Sequence, residues 1–128
     1  MANNLTNFTE TELLKWLLNL TPAYTPGATK LALYTVTPGE AGGGTEVSGG
    51  SYVRQSITWG AVTSGTVSNS ADITFPSATA DWGTITGIGI WDNGGTNMLW
   101  YGPLTAAKTI ATGEIFKVLS ANLTVSLD

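Results

Sequence analysis

Apolar positions follow two different periodicities in this chain, and the change between them comes just after residue 20. In the first stretch Leu13, Trp16, Leu17 and Leu20 recur at helical spacing, and Leu14 with Leu18 forms a second stripe beside them. An ordinary surface helix needs one apolar stripe. Two contiguous stripes predict a helix covered on two sides, by its own sheet and by a second body. The alternative is a helix that plugs the open end of its own sandwich. Thr9 and Glu12 have the spacing of a capping box, Phe8 precedes the cap and can staple onto Leu13, and Glu10 with Glu12 suits the positive end of the helix dipole. Thr21 precedes Pro22, which pushes it out of the helical region, so the helix is expected over about 9–21.

Beyond a linker at Pro22–Thr29 the pattern turns to β. Lys30–Thr35 reads as a strand with Leu31 and Leu33 inward, and Thr37–Glu40 as a turn. Ala41–Ser51 holds five glycines and reads as a flexible loop, poorly ordered alone or held by a neighbour. Tyr52–Trp59 reads as a strand, Ala61–Asn69 as a loop or a short edge strand around Thr66–Ser68, and Ala71–Phe75 as a strand stopped by Pro76. The strongest β signal is Trp82–Leu104. Two β-rich runs flank the turn formers Asp92-Asn93-Gly94-Gly95-Thr96-Asn97, the signature of a hairpin. Strict alternation puts Thr84, Thr86, Ile88 and Ile90 on one face and Ile85, Gly87, Gly89 and Trp91 on the other. Two glycines on one face weaken a strand unless a bulky group must approach there, so a large ring is expected over Gly87 and Gly89. Thr105–Gly113 reads as a polar crossing and Glu114–Leu119 as a strand. Asn122–Asp128 closes the chain with Leu123, Val125 and Leu127 inward.

The expected fold is therefore mainly β: an antiparallel sandwich or barrel of about seven to eight short strands, preceded by one N-terminal helix. A chain of 128 residues fits one domain over 1–128, with the β part over about 30–128. That length can bury a sizeable core without a disulfide or metal staple.

Composition removes chemistry rather than adding it. The chain has no cysteine and no histidine, so thiolate catalysis, cysteine zinc sites and the commonest general base are all gone. The serines have no obvious activating partner. Asp81 and Asp92 lie at opposite ends of one strand, too far apart for a glycosidase pair from that strand. The oxygen-rich turn from Asp92 to Asn97 lacks the alternating acids and distal glutamate of a calcium loop, and reads as turn chemistry. The glycine-rich loop precedes a strand and carries no lysine, unlike a phosphate cradle. No catalytic residue, cofactor or metal is expected, and no enzyme. Trp82, Trp91, Trp100 and Tyr101 can stack on sugars if exposed, but aromatic residues more often fill a core or an interface.

Charge points to assembly. Charged residues make up 11% of the chain, less than half the usual share of about 25%. That scarcity suits a surface partly covered by other subunits. The five cations are scattered and the net charge is −4, which argues against nucleic acid as a partner. Met1–Asn4 lacks the basic region of a secretory signal, and the longest apolar run, Leu13–Leu20, is too short to span a bilayer. The expectation is a protein folded in a cytoplasm, with no membrane partner.

Several motifs occur in order. They are Gly44-Thr45-Glu46-Val47-Ser48-Gly49-Gly50-Ser51-Tyr52-Val53-Arg54-Gln55, then Asp72-Ile73-Thr74-Phe75-Pro76 and Trp82-Gly83-Thr84-Ile85-Thr86. Gly89-Ile90-Trp91-Asp92, Tyr101-Gly102-Pro103-Leu104-Thr105 and Gly113-Glu114-Ile115-Phe116 follow. Together they resemble small tailed-bacteriophage virion proteins of the tail-fibre-like group, which is similar to capsid decoration or cement subunits. The resemblance covers nearly the whole chain. It implies a non-catalytic virion component assembled in the bacterial host cytoplasm, with the major capsid protein or other virion proteins as partners. A short chain with no collagen-like or coiled-coil shaft favours head decoration, with a glycan-recognising tail-fibre tip as the alternative. The two-striped helix and the sparse charge add the expectation of a homotrimer. Leu13, Leu14, Trp16, Leu17 and Leu18 of the helix, with Gly42, Gly43 and Gly44 of the loop, are the expected assembly interface.

Overall fold

A computed structural model describes residues 4–127. In chain order the elements are β1 (Asn4–Leu5), α1 (Asn7–Leu17), β2 (Thr29–Val36), β3 (Thr45–Glu46), β4 (Gln55–Ser56), β5 (Thr66–Ser68), β6 (Ile73–Thr74), β7 (Gly83–Asp92), β8 (Met98–Ile110), β9 (Lys117–Val118) and β10 (Thr124–Ser126). The fold is mainly β with one N-terminal helix, as expected. The ten strands among the described residues exceed the seven or eight anticipated, because several are only two or three residues long.

All pairings are antiparallel. The large sheet runs β1-β8-β7-β2-β3, with β4 also paired to β2, and β5 with β10 and β6 with β9 form two small ladders. Leu31, Leu33, Ile88 and Ile90 of the sheet meet Ile73, Phe75, Phe116, Leu123 and Val125 of the small ladders and their flanks in one buried cluster. Phe75 is its aromatic centre, edge-on to Phe116 and Trp82 and stacked on Tyr52. The opposite sheet face carries a smaller cluster of Ala32, Tyr34 and Met98, flanked by Trp91 and Tyr101.

The close approach expected over the hairpin glycines is present, with a ring at Gly89 but a threonine, not a ring, at Gly87. A Cβ on Gly89 would meet Met98 Sδ and Tyr34 Cε1, each at 2.9 Å, and one on Gly87 would strike the Thr37 side chain. The strict face assignment fails at Ile85. The pairing register shifts between Ile85 and Gly87, where β7 answers β8 from Pro103 to Lys108, and across that irregularity Ile85 joins Ile88 and Ile90 in the core. The strand also continues through Pro103 to Ile110, where a polar crossing was expected. Beyond Tyr101 no other strand pairs the outer side of β8 among the described residues, so a proline there breaks no ladder.

Further expectations change, and Ala71–Phe75 narrows to Ile73–Thr74. Tyr52–Trp59 narrows to Gln55–Ser56, because the Tyr52 side chain turns inward to reach Glu46 and the Leu33 amide. Glu114–Leu119 likewise narrows to Lys117–Val118. Leu127 is exposed, not inward, past the last ladder pair Ser126↔Thr66; Asp128 lies outside the described residues. The glycine-rich loop is part of the fold. It contains β3, buries Val47, and receives hydrogen bonds at the Gly50 carbonyl from the Trp82 indole and the Thr79 amide. Gly44 (φ +71°) is packed so closely on Val36 and Pro38 that a side chain there has no room.

Candidate assembly surface

The helix starts and stops earlier than the sequence suggested. Thr6, not Thr9, is the N-cap: its hydroxyl oxygen accepts from the Thr9 amide at 3.3 Å and donates to the Met98 carbonyl at 2.7 Å. The Thr9 hydroxyl donates to the Leu99 carbonyl at 2.8 Å. The pair Thr6 and Thr9 thus sews the first turn onto β8. At the other end Asn19 takes a left-handed conformation (φ 56°), its amide bonds the Trp16 carbonyl, and the Leu20 amide bonds the Lys15 carbonyl. This is a Schellman stop, which ends the helix before Pro22 can act.

With the cap moved, Glu12 is released for a different task. Its carboxylate accepts from the Ala23 amide at 2.6 Å, the Tyr24 amide at 3.0 Å and the Lys15 ammonium at 2.7 Å. It folds the linker back alongside the helix, where Tyr24 meets Phe8 edge-on at 5.4 Å. The Lys15 ammonium beside it, helped by the two amides, holds the Glu12 carboxyl below its ordinary range.

Helix, linker and β8 enclose a groove of about 400 Å³. Its walls are almost wholly apolar, from Phe8, Leu13 and Trp16 on one side to Tyr24, Leu99 and Trp100 on the other. The indole N–H of Trp100 is buried and has no acceptor among the described residues. The second stripe, Leu14 and Leu18, is bare, and so is most of the first, of which Leu13 is partly buried while Trp16, Leu17 and Leu20 are exposed, so the sheet does not cover that stripe as expected. Leu14 is 57%, Leu17 62% and Leu18 65% exposed, with Trp16 at 68% on the groove margin and Leu20 at 60% just past the helix. Of the large apolar side chains on α1, Phe8 and Leu13 are partly buried.

The sequence named Leu13, Leu14, Trp16, Leu17 and Leu18 as interface residues, and they are gathered on this one element. The glycines named with them lie elsewhere. The Asn7 amide bonds the Glu40 carbonyl at 3.1 Å, which sets the turn holding Gly42 and Gly43 at the start of the helix, while Leu17 and Leu18 end it. A Cβ on Gly42 or Gly43 would meet nothing, whereas Gly44 is fixed by packing. The far wall, Pro22, Tyr24, Pro26, Leu99 and Trp100, was missed. A tyrosine between two prolines in a linker was the available signal, since such a segment packs more readily than it floats.

The other polar clusters are structural in geometry. Asp92 takes the amides of Thr96 and Asn97 and the Asn97 side-chain amide, so its carboxylate is committed to its own turn. Burial pushes its pKa up, but these bonds outweigh burial and the net shift is downward. Glu46 is bound by Arg54 through Nε and an outer nitrogen, each at 2.8 Å, and by the Tyr52 hydroxyl, while the Arg54 guanidinium lies 4.0 Å from the Trp91 ring centre. Trp82 is buried in the core, and Trp91, Trp100 and Tyr101 are half-buried. Among the described residues no cluster of acids is placed to hold a metal ion.

A search of curated proteins finds no match to this chain. A family model does match, over residues 4–126, and its description is Podophage GP4 fiber I protein gp80. The match spans nearly the whole chain, helix and β body together, and on that ground the chain belongs to this family of phage virion structural proteins.

Proposed function

We propose that the chain is a structural subunit of a podophage fibre, joined to neighbouring virion proteins through α1 and the groove beside it. The observation that carries this reading is the exposed run Leu14, Trp16, Leu17, Leu18 and Leu20, each more than half exposed on one short stretch. Fully burying one such side chain is worth about 1.5–3 kcal/mol. Contiguous exposed apolar patches larger than a few hundred Å² mark interaction sites. Other exposed apolar residues, such as Val62 and Ile115, lie apart from it in the chain and are ordinary surface.

The fibre role follows the family's description, and it moves ahead of head decoration for that reason. Decoration of the major capsid protein remains the second reading, favoured by the absence of any collagen-like repeat or heptad shaft in residues 4–127. The role is structural rather than catalytic in both. Antibody labelling of intact virions, viewed by electron microscopy, tests the pair. Label at tail appendages in few copies supports the fibre role. Label spread over the head replaces it with decoration. Virions that carry no label at all overturn both.

A further inference from the structure

We infer that the tip of the central hairpin is a site of spontaneous covalent modification, where the Asn93 side chain closes on the Gly94 nitrogen as a succinimide and reopens as aspartate or isoaspartate. The inference does not depend on the assembly reading. Asn93-Gly94 is the one Asn-Gly pair in the chain. Glycine has no Cβ to shield its nitrogen, so that nitrogen meets the least hindrance in reaching the carboxamide carbon before it.

The turn is fastened at its base, not at its tip. The Asp92 carbonyl accepts from the Gly95 amide at 3.0 Å, and the Asp92 carboxylate accepts from the Thr96 amide at 2.9 Å and the Asn97 amide at 3.2 Å. Asn93 and Gly94 are exposed between these anchors. Among the described residues neither the Asn93 carboxamide nor the Gly94 amide makes a hydrogen bond. Both reacting groups are free. A single backbone bond, Gly95 to Asp92, closes the turn around them, and opening it uncovers no core. Asparagines elsewhere are committed. Asn19, Asn69 and Asn122 precede the amides of Leu20, Ser70 and Leu123, which donate to the Lys15 carbonyl, the Thr58 carbonyl and Asn69 Oδ1. Asn97 has its own carboxamide bonded to Asp92 at 2.8 Å.

The steps balance with water alone. The Gly94 nitrogen gives its proton to hydroxide and attacks Asn93 Cγ. The Cγ–Nδ2 bond breaks, and Nδ2 takes a proton from water and leaves as ammonia. Water then adds to either carbonyl of the imide, the bond from that carbon to the Gly94 nitrogen breaks, and the nitrogen recovers its proton. Addition at Cγ gives aspartate, and addition at the main-chain carbonyl gives isoaspartate. Both place a carboxylate where a neutral amide stood. Isoaspartate also routes the main chain through the side chain and lengthens the turn.

The test ages the full chain in warm, mildly alkaline buffer and follows it by peptide mapping with mass spectrometry. Asn93 is expected to lose its amide before Asn19, Asn69 or Asn122, and to yield aspartate and isoaspartate together. Isoaspartate is scored with an isoaspartate-specific methyltransferase. It forms only through the imide, so it reports the route in the wild type without any variant. Gly94→Ala should slow the loss. Gly94 lies outside the left-handed region, and a Cβ there would make only ordinary contacts, with Thr96 Oγ1 at 3.8 Å and Asp92 Oδ1 at 4.0 Å, so the hairpin should be kept. Circular dichroism checks that it is. An Asn93 that keeps its amide as long as Asn69 does overturns the inference. So does aspartate without isoaspartate at this position, or a folded Gly94→Ala chain that ages at the wild-type rate.

Discussion

The inner face of the central hairpin and the outer face of α1 are built from the same kind of residue and meet opposite fates. Ile85, Ile88 and Ile90 on β7 are all but inaccessible, whereas Leu14, Leu17 and Leu18 on α1 are more than half exposed. Hydrophobicity does not distinguish them. What differs is the surroundings. β7 is flanked by β2 and β8 and covered by the small ladders, while α1 is tied down at its N-terminal turn and along the linker, with its outer face uncovered. The hairpin stabilises the fold, whereas the outer helix face is left uncovered by its own chain, as the proposed assembly role requires.

The largest expected difference lies there. Leu33→Ala or Ile88→Ala should cost about 2–5 kcal/mol, since each removes a buried side chain from a packed cluster and leaves a cavity. Leu17→Ala should cost far less in the monomer. Urea unfolding measures all three, and equal losses would erase the distinction between the two regions. Gly89→Val comes next, at about 1–3 kcal/mol, because its side chain would press on Tyr34, Met98 and the Trp91 indole. An unchanged midpoint would mean that this face is looser than its contacts indicate.

The same contrast explains what could be read from the sequence. The hairpin was legible because turn residues and β-rich runs are local signals, and Gly87 with Gly89 pointed to the close approach that Thr37 and Tyr34 make. Ile85 was misplaced because a register shift is a property of the pair β7 and β8, not of either strand alone. The apolar character of the helix was legible for the same local reason, but which stripe the chain itself would cover was not, since Trp16, Leu17 and Leu20 of the first stripe are exposed. The cap was not legible either. Thr6 and Thr9 both suit a helix start, and the choice fell to Thr6 because the Met98 and Leu99 carbonyls lie beside it, far along the chain. The groove depends on that choice. Once Thr6 caps the helix, Glu12 turns to the linker, and the wall carrying Tyr24 comes into place.

Glu12 offers a smaller effect that sharpens the boundary between the two regions. Its folded pKa is lowered, first by the Lys15 hydrogen bond, so its contribution is fully present above the ordinary glutamate range. It is lost as pH falls through the depressed folded value. Protection of the Ala23 and Tyr24 amides, taken relative to the intrinsic exchange rate at each pH, should therefore fall in acid, while the core strands keep theirs. Glu12→Gln should show low protection at neutral pH and little further change in acid. Protection that ignores both pH and the substitution would mean the linker is held by Phe8 and Tyr24 packing alone.

The smallest effect on folding should come from the outer stripe itself. Leu17→Gln with Leu18→Gln replaces two exposed leucines by a good helix former, so each change should move monomer stability by no more than about 0.5 kcal/mol. The effect should appear elsewhere. A chain that associates through this face is stabilised by mass action, so the wild-type melting temperature should rise with protein concentration. The double variant should melt at one temperature at every concentration, close to that of the dilute wild type. A dilute double variant that melts far below the dilute wild type would show that the stripe already packs within its own chain. The helix would then belong with the hairpin as part of the core.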